Sequence, residues 1–125
     1  MRTVILVLAC VFCNTLAQLA LKHGASGRGS GISENAWSLH AWAQVLLSPA
    51  ILLGLALWTV STLLWIYVLA RSGLALAYGL YGLNYLLVPL AAHWRFAEPL
   101  SGWQVAGMAL IALGVGCTVA GAGAR

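Results

Sequence analysis

The stretch TVILVLACVFCNTLAQLAL, residues 3–21, carries no charged side chain. A helix of that length, at about 1.5 Å per residue, reaches across most of the roughly 30 Å of a bilayer's hydrocarbon core. Three further runs of the same kind follow at 50–70, 74–94 and 103–124, that at 74–94 polar only at residues such as Asn84 and His93. Between the later runs lie only Arg71-Ser72-Gly73 and residues 95–102, so consecutive helices must be antiparallel. Ser101, after Pro99, is placed to cap the last helix. Trp42, Trp94 and Trp103 fall at run ends, where indole rings favour the headgroup zone.

Composition agrees with this reading. Across 125 residues, 62% are hydrophobic and 6% charged, with a mean hydropathy of +0.95. A soluble domain carries about a quarter charged residues, so most of this surface must face lipid. The chain is therefore expected to be an all-α membrane protein in a single domain, residues 1–125. Four transmembrane helices are expected at about 3–22, 50–70, 74–94 and 102–122. The net charge of +4 is scattered singly, which fits bilayer anchoring and speaks against nucleic-acid binding. Met1-Arg2 before an apolar run resembles a signal peptide, but the run continues unbroken to Leu21, so it is read as a mature helix.

The one sizeable excursion is residues 23–48. GASGRGSG, residues 24–31, reads as a flexible polar linker. Residues 35–47 place Leu39, Trp42 and Leu46 on one helical face, the pattern of a short helix lying in the membrane interface. Pro49 then opens the second span, where its missing N–H costs nothing.

Polar side chains within the spans are costly in lipid and tend to face a partner or a cavity. Asn14, Gln18 and Lys22 recur every four residues and share one stripe of the first span. Tyr78, Tyr81 and Tyr85 form an aromatic stripe on the third, with Asn84 beside them. Asn14 and Asn84 both lie about 15 Å deep, and their spans run parallel, so the two amides can meet at one depth. They serve either as interhelical glue or as the lining of a polar cavity. Lys22 is either a snorkelling anchor or a phosphate contact.

The fourth span differs in kind. Gly107, Gly114 and Gly121 repeat every seven residues, leaving a small-residue face for close approach of another helix, read here as one between protomers. No catalytic or metal-binding constellation is visible. The two carboxylates, Glu34 and Glu98, lie outside the spans, and His23, His40 and His93 lack ligand spacing. Cys10, Cys13 and Cys117 sit within apolar runs, where small buried thiols are common. Neither an enzyme nor a cofactor is expected.

From Leu64 to Val115 the chain reads LWIYVLARSGLALAYGLYGLNYLLVPLAAHWRFAEPLSGWQVAGMALIALGV. This resembles the second half of proteins of the drug/metabolite transporter superfamily. The carrying residues are Ala77-Tyr78, then Phe96, Glu98, Gln104, Gly107, Leu110-Ile111 and Gly114, joined by Ala17-Gln18 and Lys22 in the first span. AQLALK together with AYGLYGLNYLLV is most similar to the paired flippase subunits for aminoarabinose-phosphoundecaprenol, EamA-like relatives of the small multidrug resistance proteins. One departure matters: multidrug exporters of this size carry a titratable carboxylate midway along the first helix, and here that region offers Asn14, which cannot titrate.

The resemblance implies a dimeric transporter, homomeric or heteromeric, that moves a polyprenyl-phosphate-linked sugar across the bacterial cytoplasmic (inner) membrane for envelope or lipopolysaccharide modification. The lipid tail would stay among the membrane lipids. Lys22 and Arg95 would meet the phosphate, and Glu98 of the signature would belong to the substrate-binding set. Asn14, Gln18, Tyr78, Tyr81, Asn84 and Tyr85 would meet the sugar. The alternatives are an exporter of small cations and a non-transporting scaffold subunit. Orientation is balanced: with the N-terminus inside, Arg2, Arg71 and Arg125 face Lys22, Arg28 and Arg95, and only the resemblance places both termini in the cytoplasm.

Overall fold

The computed structural model describes residues 2–28 and 39–123. Six helices follow in order: α1 Arg2–Arg28, α2 Leu39–Leu46, α3 Pro49–Arg71, α4 Leu74–Tyr81, α5 Asn84–Phe96 and α6 Gly102–Gly123. No strand occurs among the described residues. Four stretches are long and apolar enough to cross a membrane: Thr3–Ser26, Pro49–Arg71, Leu74–Phe96 and Gly102–Gly121. The protein is thus a multi-pass all-α membrane protein with one extra short helix between its first two spans.

Two expectations need correcting. Residues 24–28, read as flexible linker, continue α1 as helix, while 29–31 lie outside the described residues. The reason is tertiary. Gly24 is buried, and a Cβ there would lie 2.7 Å from Ile51 Cγ1, so glycine serves close packing against the start of α3. Ser26 Oγ donates to the Lys22 carbonyl at 2.8 Å, which satisfies the hydroxyl within the helix. The third span, expected as one helix over 74–94, is instead two, α4 and α5, joined at Gly82-Leu83. The join is a tightened turn: Leu83 N–H donates to Leu80 and Tyr85 N–H to Gly82, at 3.1 and 3.0 Å. Both bonds are of the i→i−3 type. Gly82 suits this join, because a Cβ would lie 3.0 Å from the Gly79 carbonyl and 3.2 Å from Val115 Cγ2.

Other boundaries follow from local chemistry. Ser48 caps α3, its hydroxyl accepting from Ile51 N–H at 3.3 Å, with Pro49 in the first turn. Ser101 and Gln104 form a reciprocal capping box at α6. Ser101 N–H donates to Gln104 Oε1 at 2.8 Å, and Gln104 N–H to Ser101 Oγ at 3.3 Å. In α2 the apolar residues Leu39, Trp42 and Leu46 are exposed, and Val45 anchors the helix inward. Residues 35–38 of the expected interfacial helix lie outside the described residues.

The most extensive interhelical contact joins α1 to α3. Gly54 permits it, since a Cβ there would sit 2.8 Å from Leu21 Cγ and 3.1 Å from the Ala17 carbonyl. Cys10 and Ser61 seal it reciprocally: Ser61 Oγ donates to the Cys10 carbonyl at 3.0 Å, and Cys10 Sγ to the Ser61 carbonyl at 3.2 Å. Val7, Val11, Val68, Ala77 and Leu80 then form a small buried core. Along α1, Val7 and Val11 meet α4, Asn14 meets α5, and Lys22 meets the turn beyond it. That order makes α1 parallel to α4–α5.

Candidate functional site

The stripe of α1 that begins as core at Val7 and Val11 continues into Asn14, Gln18 and Lys22, about one, two and three turns on. There the covering helix changes. Gly82-Leu83 ends α4, and Pro89 inside α5 denies the Tyr85 carbonyl its helical donor. Along α4's end and the first turns of α5 the polar stripe of α1 borders open space in two hollows that share lining residues. The deeper, about 310 Å³, is lined by Asn14, Gln18, Tyr81, Asn84, Tyr85, Val88 and Pro89. The outer, about 360 Å³, shares Gln18, Val88 and Pro89 and adds Lys22, Ala92, Glu98, Pro99, Leu100 and Gln104.

The two asparagines do converge. Asn14 Nδ2 donates to Asn84 Oδ1 at 3.2 Å, near the middle of both spans. Asn14 and Asn84 are 6% and 7% exposed, yet Asn84 Nδ2 has no hydrogen-bond partner. A buried donor left unmade costs about 1–3 kcal/mol, so the site is polar beyond what joining two helices requires. No carboxylate lines the deeper hollow.

The outer hollow is charged. Lys22 Nζ forms an ion pair with Glu98 and lies over the Phe96 ring, 5.3 Å from its centroid. Lys22 is thus not the bare cation that the stripe alone implied; its charge is paired with that of Glu98. Phe96, Glu98 and Gln104, three residues of the family signature, all gather at this end. The sequence offered Phe96 and Gln104 only as motif letters. Their physical roles are a ring beneath the lysine and a cap on α6.

Two expected site residues stand elsewhere. Tyr78 packs edge-on against Trp65, ring centroids 5.3 Å apart, and does not line the cleft. Trp65 also stacks at 4.6 Å on Tyr81, so it backs the cleft's aromatic wall, a part no sequence pattern flagged. Arg95 is exposed, its guanidinium 5.8 Å from the Phe96 centroid, and it lines neither hollow. A third hollow, about 510 Å³, lies on the other side of the α1–α5 seam among Phe12, Leu16, Leu19, Leu87, Leu90 and Trp94. Its walls are apolar apart from Thr15 and His93, and it lacks converging polar groups.

Comparison with known proteins follows the same direction. No family model matches the chain, and no solved structure matches it. Curated proteins do match. The chain is 38% identical over 100 residues to a probable 4-amino-4-deoxy-L-arabinose-phosphoundecaprenol flippase subunit ArnE of Sodalis glossinidius, covering 80% of this chain and 81% of that one. Similar proteins of the same description come from Pectobacterium atrosepticum, 32% identical over 92% of this chain and 95% of the relative, and Pseudomonas aeruginosa, 34% identical over 88% and 90%. Identity at this level over most of both lengths, with the signature residues gathered at one cleft, settles the kinship. The chain belongs to the family of the 4-amino-4-deoxy-L-arabinose-phosphoundecaprenol flippase subunits.

Proposed function

We propose that the protein is one subunit of a flippase that carries a polyprenyl-phosphate-linked sugar, such as aminoarabinose-phosphoundecaprenol, across the bacterial inner membrane for envelope modification. The observation that carries this is a mid-membrane cleft with an unpartnered, buried amide donor at one end and a lysine at the other. From Asn14 to Lys22 is about 12 Å along the helix, eight residues at about 1.5 Å each, the scale of a sugar ring with its phosphate. Asn14, Gln18, Tyr81, Asn84 and Tyr85 meet the sugar, and Lys22 meets the phosphate. Arg95 serves as a second cation at the mouth, while Tyr78 acts through the Trp65 stack. The prenyl tail stays in lipid. A neutral amide stripe fits this cargo better than a lipophilic cation, which would call for a carboxylate at Asn14.

The partner is a second small subunit, the same chain or a related one. The relatives are described as subunits, and α6 supports the reading: its described side chains all stay at least partly exposed. Positions Gly107, Gly114 and Gly121 have nothing within 4 Å of a built Cβ. Alternating access then comes from two subunits rocking against each other about the shared cleft. The test is the lipid that co-purifies with the protein in mild detergent, identified by mass spectrometry. A polyprenyl-phosphate-linked sugar is the expected result. Recovery of membrane phospholipid alone, from cells that make the sugar lipid, would contradict the reading.

A further inference from the structure

The mouth of the cleft brings together the chain's single lysine and Glu98, one of its two carboxylates. Lys22 and Glu98 are 40% and 42% exposed, so water screens the pair and its net attraction amounts to about fivefold or less in an equilibrium. Glu98 sits in the turn after α5, next to Ala97, whose φ of 53° is left-handed. Its backbone is pinned, because its carbonyl is bonded by the His93 ring. Its side chain is held less firmly: among the described residues its one ion-pair partner is Lys22. Arg95 lies 5.8 Å from the Phe96 ring centroid and makes no ion pair among the described residues.

We propose that Glu98 is an internal stand-in for the substrate's phosphate: it pairs with Lys22 until a phosphate head group arrives, and then yields that lysine to it. The proposal rests on the reading of Lys22 as the phosphate contact. It gives the site a threshold. A neutral polyprenol brings no charge to displace Glu98, and a phosphate must compete with a carboxylate already in place. Phosphate can come from a polyprenyl phosphate or from an ordinary phospholipid, and the two sources are told apart by the probes below.

The experiment measures binding to the full chain in nanodiscs, together with its partner subunit if the assembly needs one. The probes are undecaprenyl phosphate, uncharged undecaprenol and phosphatidylglycerol. Glu98→Gln is expected to tighten undecaprenyl phosphate about fivefold, the worth of a half-exposed pair. Phosphatidylglycerol should tighten alongside it if the gain comes from any phosphate, or stay unchanged if the prenyl tail selects the source. Undecaprenol should not change. The double variant Lys22→Gln/Glu98→Gln should lose the gain. Glu98→Ala serves as a second variant, with gel filtration and thermal melting confirming that each is folded. Unchanged or weaker binding of undecaprenyl phosphate by both Glu98 variants overturns the proposal, as does an equal gain for undecaprenol. Sugar-lipid translocation is scored separately. Lost translocation with the Glu98→Gln gain intact sinks the transport reading alone; translocation without that gain sinks the exchange alone.

Discussion

Replacing Asn84 with leucine is expected to lower sugar-lipid translocation by roughly ten- to a hundredfold while leaving the chain folded. Asn84 is 7% exposed and has one amide hydrogen-bonding group spent on Asn14 and one spent on nothing. Interhelical hydrogen bonds in membranes average about 0.6 kcal/mol, so losing the Asn14 bond weakens the fold only slightly. Leucine, close in volume, also removes the cost of the orphaned donor. The substrate loses more, since a buried hydrogen bond denied to it costs about 1–3 kcal/mol, roughly ten- to a hundredfold. Thermal melting together with transport in proteoliposomes separates the two. A lowered melting temperature with transport intact would reduce the asparagine pair to glue. The double variant Asn14→Leu/Asn84→Leu should be no worse in transport than the sum of its parts, because the residues are in contact and act as one unit.

The second large effect belongs to α6. Gly114→Ile is expected to leave the single chain's melting unchanged yet raise the dissociation constant of the assembly by about tenfold or more, about 1.4 kcal/mol. A Cβ at Gly114 meets nothing within 4 Å in one chain, so any penalty must come from a second chain packed there. Gly79→Val is the internal control. A Cβ at Gly79 would lie 2.5 Å from Thr118 Oγ1, so that change should destabilise the chain itself by about 1–3 kcal/mol through overpacking. Site-specific cross-linking in membranes reads assembly, and melting reads the fold. If Gly114→Ile leaves cross-linking unaltered, the outward face of α6 is not where the subunits meet.

How far the sequence carries the account depends on what each feature needs. Charge-free runs near bilayer length define the spans on their own, because lipid forces every backbone group into a helix. The Asn14–Asn84 meeting was legible too, since two equal depths on parallel helices leave few other places for buried amides. Short-range chemistry at Pro49 and at Ser101 likewise marks the helix starts. What escaped depends on contacts between distant residues. GASGR looks like linker until Ile51 packs against Gly24. The break at Gly82-Leu83 is hidden inside an apolar run, and it turns Tyr81, Asn84 and Tyr85 into one cleft while Tyr78 stays on Trp65. The pairing of Lys22 with Glu98 joins positions far apart in the chain, and no spacing rule reaches that far.

The family kinship and the missing carboxylate at Asn14 point to the same cargo class, and transport itself is the most direct test. The protein, reconstituted with its partner subunit into liposomes loaded on one leaflet with aminoarabinose-phosphoundecaprenol, should deliver the head group to the other leaflet. A membrane-impermeant amine reagent would read this as new labelling of the sugar's amine. The result that contradicts the account is equally plain: no movement of any lipid-linked sugar, alongside export of cationic dyes by the same preparation.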